Sequence, residues 1–260
     1  MDEAARDQHF ALCLSGGGLR ATLFHLGVIR AMRVIDGKGS RPIDRLAEVY
    51  SVSGGSILAA YMIAHWDQIT GNDDAFADAE KAILTFCGSG LRDRVIRRAV
   101  TQRLWDVLFF LWPKRLAPAW LGKSVARSRR AHWLTQEYRA LLGEATTSGS
   151  ASLFPSLPRF YILSTSFRSA DLCAFTNTGF EVERRDGSFE AGPPARVSLA
   201  AAVAASSAFP PLFPPISFSA DILDSPQNAS KPRSDADAKR TILLSDGGIY
   251  DNLGVEKYRA

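Results

Sequence analysis

The sequence predicts an α/β fold in three layers, α/β/α, around a mostly parallel central sheet. Three observations carry that expectation. Short apolar runs of strand length alternate with stretches of helical periodicity, the pattern of parallel strands covered on both faces. Three of the runs stop abruptly in small residues, as strands do when they turn directly into helices. The chain has 260 residues, 46 % of them hydrophobic and 22 % charged, enough for one large core. That composition excludes a disordered chain, a collagen and a coiled coil.

The elements follow in order. Phe10–Leu14 is an apolar run ending in Ser15 and three glycines, so it reads as a buried strand. Between Thr22 and Val34, the residues Leu23, Leu26, Ile29 and Val34 recur at helical spacing, with Gly37 and Gly39 as stop signals. Val49–Val52 is a second strand, running into Ser53-Gly54-Gly55. Ser56–Ala64 is apolar all round, which suits a helix buried against a sheet. Ala75–Phe86 predicts a further helix; Arg159–Thr165, Leu172–Thr176 and Thr241–Leu244 predict strands. Two segments read as insertions in a single domain over 1–260. One is a basic stretch over 92–130, the other a polar loop over 219–240 containing Pro226 and Pro232.

The chemistry concentrates at the three strand ends. In LCLSGGGLRA, Gly16, Gly17 and Gly18 let backbone approach a ligand closely, and the helix behind aims free N–H groups at negative charge. Taken alone, this is also an ordinary strand–helix turn. A nucleotide loop is disfavoured, because position 21 is Ala21 and no Walker lysine is present. In YSVSGGS, Ser53 sits on a sharp strand-to-helix turn among small neighbours, the arrangement of a nucleophile elbow. Ser51 stands where GxSxG has its first glycine, and the alternative reading of Ser53 is a plain helix N-cap. In ILLSDGGIYDNLG, a strand delivers Asp246 into Gly247-Gly248. That carboxylate can act as a base or a ligand, or simply form an Asp-Gly turn.

Histidine order narrows the choice. An α/β-hydrolase triad runs serine, acid, histidine, but the four histidines are His9, His25, His65 and His132, and none follows Asp246. His25 reads as a helix-face residue. A Ser–Asp dyad is the economical arrangement: the carboxylate accepts the serine proton and loop amides stabilise the oxyanion.

The blocks SGGGLR, VSGGS and SDGG, in that order, resemble the patatin-like phospholipase family, lipid acyl hydrolases with a Ser–Asp dyad. LAAAVAASSAFPPLFPP (Leu199–Pro215) and STSFRSADLCAFTN (Ser164–Asn177) are similar to further blocks of that family, so the resemblance runs from about Phe10 to Glu256. It implies a nucleophile at Ser53, a base at Asp246 and an oxyanion loop at Gly16, Gly17 and Gly18. By the elbow logic, the Gly54 N–H joins as a further donor. Arg20 takes the motif's basic position, where it either binds phosphate and supports the loop or forms a structural salt bridge. Ser206 and Ser207 read as wall or packing residues. The resemblance implies no metal and no organic cofactor, and a phospholipid or related lipid ester as substrate. The chain ends ten residues after Tyr250, where resembling proteins continue into a further helix, so a truncated C-terminus is expected.

The formal charge of +4 is unevenly spread: residues 92–130 carry +9 and the rest of the chain −5. The basic stretch also holds Trp105, Trp112 and Trp120. Cations interleaved with such rings suit a bilayer interface, each cation near an anionic surface contributing about 1 kcal/mol. The other reading is core packing under a solvated basic face. Nucleic acid is not indicated, since no binding motif accompanies the charge. Cys13, Cys87 and Cys173 are too scattered for a disulfide framework or a zinc site. The polar start MDEAARDQHF lacks a signal-peptide core, and no apolar run approaches the roughly 20 residues of a membrane span. The expected setting is cytoplasmic, with peripheral membrane association through 92–130. The alternatives to a lipid hydrolase are a non-catalytic lipid- or phosphate-binding module and a soluble non-lipid esterase or acyltransferase.

Overall fold

The computed structural model describes residues 9–35, 39–90, 124–147, 157–192, 197–210, 213–219 and 241–259. Most of the basic stretch (91–123) and the polar loop over 220–240 lie outside the described residues. One sheet of eight strands organises the rest: β1 (Phe10–Leu14), β2 (Leu46–Val52), β3 (Arg159–Ser166), β4 (Leu172–Thr176), β5 (Phe180–Glu183), β6 (Phe189–Ala191), β7 (Ile216–Ser219) and β8 (Thr241–Asp246). The helices are α1 (Gly18–Met32), α2 (Gly54–Ala64), α3 (Trp66–Thr70), α4 (Asp73–Gly88), α5 (Ser124–Leu142), α6 (Leu199–Ser206) and the short α7 (Glu256–Arg259).

The sheet is mixed. β1, β2 and β3 are parallel neighbours, and this unit carries the first two glycine-rich junctions. From β3 outward every pairing is antiparallel: β3 with β4, β4 with β5, β5 with β6, β3 with β8 and β8 with β7. The parallel expectation describes the unit at the site, while the antiparallel ribbon is built from short strands separated by turns. Phe180–Glu183, Phe189–Ala191 and Ile216–Ser219 are too short to register as apolar runs.

The main core lies between the sheet and the helices. Leu14, Val49, Phe160, Ile162, Phe175 and Phe180 point into it from the strands, and α2 is buried along nearly its whole length. An apolar helix with no polar face has to sit this way. On α5, Leu134, Tyr138 and Leu142 are buried at i, i+4 and i+8, one stripe facing the core. The opposite sheet face carries Tyr50, Val52, Tyr161 and Leu163, with Tyr50 and Tyr161 stacked at 4.4 Å. There the C-terminal segment lies across the sheet: Tyr258 meets the Tyr50 ring edge-on at 5.9 Å, and the Cys13 thiol contacts the Gly254 carbonyl.

Helix α1 differs from its sequence reading in an informative way. It starts at Gly18, inside the glycine loop, and ends at Met32, so Leu26 and Ile29 are buried while Leu23 and Val34 are exposed. The buried set is Thr22, His25, Leu26 and Ile29, a stripe that includes two polar residues. Both polar residues serve the site described next.

Candidate active site

The site forms where three strand ends meet. Ser53 follows β2 directly and adopts φ 50°, ψ −112°, a region that L-residues avoid at a cost of about 1–3 kcal/mol. Surrounding contacts hold it there. The Ser53 N–H donates to the Ser206 hydroxyl at 3.0 Å, and Ser206 in turn shares a 2.8 Å hydrogen bond with Ser56. Ser56 donates to Ser51, and Ser51 donates to the Tyr161 carbonyl on β3. Serine at position 51 in place of glycine is therefore a working part of this buried network. Ser206 is also more than the packing residue expected from sequence, because its oxygen anchors the elbow from α6.

Two glycines behind Ser53 are required by close approach. A Cβ on Gly54 would overlap the Gly18 carbonyl oxygen, and one on Gly55 would overlap the carbonyl of Leu14. The elbow and the glycine loop thus touch backbone to backbone. Thr22, buried on α1, clamps them by donating to the Gly54 carbonyl at 2.7 Å. His25, the other polar residue of that stripe, lies 3.3 Å from the Ser15 hydroxyl and the Ser15 carbonyl. Burial holds its pKa below the ordinary histidine value, against the pull of the Ser15 carbonyl. It is a buried brace behind the loop, on the core-facing side of α1.

Helices α1 and α2 both begin here, at Gly18 and Gly54. Neither has a side-chain cap or an acidic residue in its first turn. Their first amides and positive dipole ends are thus available to a negative charge beside Ser53. Among the described residues the N–H groups of Gly17, Gly18 and Gly54 have no hydrogen-bond acceptor. Gly16 is different: its N–H donates to the Asn252 carbonyl at 2.8 Å, so it is not a free donor. Its part is steric, since a Cβ there would overlap the Asn252 side chain and touch Ser53. Asn252, which sequence reasoning missed, lies against both Gly16 and Gly248 and joins the glycine loop to the segment after β8. Nearby, the Asp251 carboxylate accepts from the N–H groups of Leu253 and Glu256 and fixes that segment.

Asp246 ends β8 and is buried. Its carboxylate accepts the Gly248 N–H at 2.7 Å, and the Ser53 side chain lies close enough to favour its ionised form. Burial raises its pKa above the ordinary carboxylate value, and the Gly248 N–H and the nearby Ser53 hydroxyl oppose that rise. A raised carboxyl stabilises the fold only while protonated, and that contribution is lost as pH rises through its folded-state pKa. Asp246→Asn therefore raises Tm at pH 7 relative to wild type. The difference closes below about pH 4, where the aspartate is protonated in both folded and unfolded chains. Thermal melts of the two proteins across pH check this.

Tyr138, also missed from sequence, enters from α5. Its hydroxyl is 2.9 Å from Ser207, whose own proton goes to the Val203 carbonyl, so Tyr138 is the donor. Burial pushes its phenol up to about 12, with the Ser207 hydrogen bond opposing and the Asp246 charge adding to the rise. Arg20 stands exposed on the first turn of α1 and forms no ion pair among the described residues, so the salt-bridge reading has no support there.

Four exposed apolar side chains neighbour the site residues along the chain. Phe209 follows Ala208, whose carbonyl accepts from Ser245 Oγ and Asp246 N. Ile249 and Tyr250 follow the Asp246-Gly247-Gly248 turn, and Leu253 follows Asn252; all four are 41–59 % exposed.

The patatin-like phospholipase family model matches residues 12–257. Human GIVD cytosolic phospholipase A2 superposes with a TM-score of 0.54 at 12 % identity, over 99 % of this chain and 42 % of that one. The same human protein in complex with methyl γ-linolenyl fluorophosphonate gives 0.46 at 15 % identity, over 75 % and 29 %. VipD from Legionella pneumophila gives 0.42 at 16 % identity, over 94 % and 47 %. The chain spans less than half the length of each of these proteins. No curated protein sequence matches it. The glycine loop, the serine elbow and the Asp-Gly-Gly turn all fall inside the matched span, and the chain belongs to the patatin-like phospholipase family.

Proposed function

We propose that the chain is a serine acyl hydrolase that cleaves ester bonds of phospholipids or related lipids. The observation that carries this reading is Ser53, strained in a strand-to-helix elbow beside the buried Asp246 carboxylate. Asp246 takes the Ser53 proton as the serine oxygen attacks the ester carbonyl. The N–H groups of Gly17, Gly18 and Gly54 and the starts of α1 and α2 stabilise the tetrahedral oxyanion. The alcohol leaves with the proton held by Asp246. Water then attacks the acyl-serine carbonyl, giving its proton to the same carboxylate, which passes it to the Ser53 oxygen as the acyl group departs as the free acid. No step draws on a metal or organic cofactor. Arg20, exposed beside the loop, is the candidate contact for a head-group phosphate.

The test is hydrolysis of a panel of lipid esters and soluble esters by wild type and Ser53→Ala. Equal rates in the two proteins on every ester would overturn the reading in favour of a non-catalytic binding module.

A lipid substrate, as opposed to a soluble ester, is supported by the exposed apolar side chains of Phe209, Ile249, Tyr250 and Leu253. Burying such half-exposed side chains in an acyl phase is worth about 1–2 kcal/mol each. The Phe209→Asp/Leu253→Asp double variant is therefore expected to lose about 10-fold or more in hydrolysis of phospholipid vesicles. A short soluble ester is expected to be cleaved within about twofold of the wild-type rate. Vesicle hydrolysis unchanged in the double variant would point to a soluble esterase or acyltransferase. The basic, tryptophan-bearing stretch over 92–130 is proposed as a second, electrostatic contact with anionic lipid.

A further inference from the structure

β3 pairs with β4 along one edge, from Tyr161 to Thr165. Its other edge is shared. β2 occupies it as far as the pair Val52↔Leu163, and β8 runs in antiparallel from the opposite direction, ending at the pair Asp246↔Ser164. The strands that deliver Ser53 and Asp246 therefore stop end to end along β3, and Ser164 is the residue that faces their junction. Gly247 crosses the same point so closely that a Cβ there would come within 2.6 Å of the Leu163 carbonyl.

Directly opposed residues of an antiparallel pair stand on the same face, with Cβ atoms about 5 Å apart. The Ser164 hydroxyl and the Asp246 carboxylate share a face accordingly. Ser164 is 0 % exposed, and its oxygen has no hydrogen-bond partner among the described residues. Leaving a buried hydroxyl unsatisfied is unfavourable, and alanine would fill the same space without that burden. The carboxylate receives a hydrogen bond from the Gly248 N–H, and its two oxygens offer about four acceptor sites, so it has capacity for further donors.

We propose that Ser164 is a positioning residue for Asp246: a turn about its Cα–Cβ bond brings its hydroxyl onto the ionised carboxylate and holds it in the orientation that receives the Ser53 proton. The inference rests on the Ser53–Asp246 reading. Burial favours the neutral form of the other titratable groups near the site. Tyr138 on α5 is pushed up to about 12, and Cys173, opposite Ser164 on β4, is raised to about 12 by burial and by Asp171. His25 hydrogen-bonds Ser15, and burial lowers its pKa.

The experiment is the pH profile of p-nitrophenyl butyrate hydrolysis for wild type, Ser164→Ala, Ser164→Thr and Ser53→Ala, with Tm measured for each. Losing a donor disfavours the ionised carboxylate, so Ser164→Ala moves the acid limb of kcat/KM to higher pH. Its kcat falls about 10-fold, with KM within twofold and Tm equal to wild type or higher. Ser164→Thr keeps the hydroxyl and returns the acid limb toward wild type. An inactive Ser53→Ala alongside a Ser164→Ala of wild-type kcat and acid limb would overturn this inference alone. An active Ser53→Ala would overturn the dyad reading and this inference with it.

Discussion

Ser53→Ala is expected to lower lipid ester hydrolysis by about 10⁴-fold or more while leaving the fold intact, because it removes the one oxygen that attacks the ester. A second substitution at the same position separates chemistry from strain. Ser53→Gly is equally inactive, yet it relieves a backbone at φ 50°, ψ −112° that both serine and alanine must be forced to adopt. Strain of this kind is worth about 1–3 kcal/mol, and the extra freedom of glycine in the unfolded chain offsets about 1 kcal/mol of it. Ser53→Gly is therefore expected to melt above Ser53→Ala, with both proteins inactive. Single-turnover assays and thermal melts on the same preparations check both statements. If the alanine variant melted higher, the elbow would hold no strain and the hydroxyl would be presented by a relaxed turn.

What was legible from sequence was local. Ser53 and Asp246 stand out because each lies at the end of an apolar run, followed at once by small residues. The glycines announce close approach without saying to what. Residues that act from far along the chain left no such mark. Ser206 is 153 positions from the Ser53 amide it holds, and in the sequence it is one small residue in an Ala/Ser-rich helix. Asn252 looks like part of a turn, and only the fold brings it beside Gly16. Its carbonyl takes the Gly16 amide and leaves Gly17, Gly18 and Gly54 as the free donors. The antiparallel half of the sheet was hidden for a related reason. An apolar run encodes burial, not the direction of its neighbour, and β8 approaches β3 from the end opposite to β2. His25 and Thr22 fall at core spacing on α1, but the helix starts earlier than its apolar pattern, inside the loop whose glycines look like a break.

Gly55→Ala is expected to be strongly destabilising. Position 55 lies in the first turn of α2, where that helix crosses the end of β1, and a Cβ would overlap the Leu14 carbonyl oxygen and crowd the Leu14 Cβ. These neighbours are mostly backbone in a buried strand, so no side-chain rotation relieves the clash; α2 or β1 must shift. Overpacking of this kind costs about 3 kcal/mol or more, which for a domain of this size lowers Tm by roughly 6–12 °C. Gly27→Ala is the control. Gly27 is exposed within α1, and a Cβ there meets nothing within 4 Å. Alanine is the better helix former by about 1 kcal/mol, so Gly27→Ala is expected to raise Tm slightly. Opposite signs for the same added methyl would trace the requirement at Gly55 to backbone contact between α2 and β1. A mild effect at Gly55 would mean that α2 can lift away from the strand, and the seating of Ser53 against Asp246 would then depend on the Ser51–Ser56–Ser206 hydrogen bonds and on Thr22.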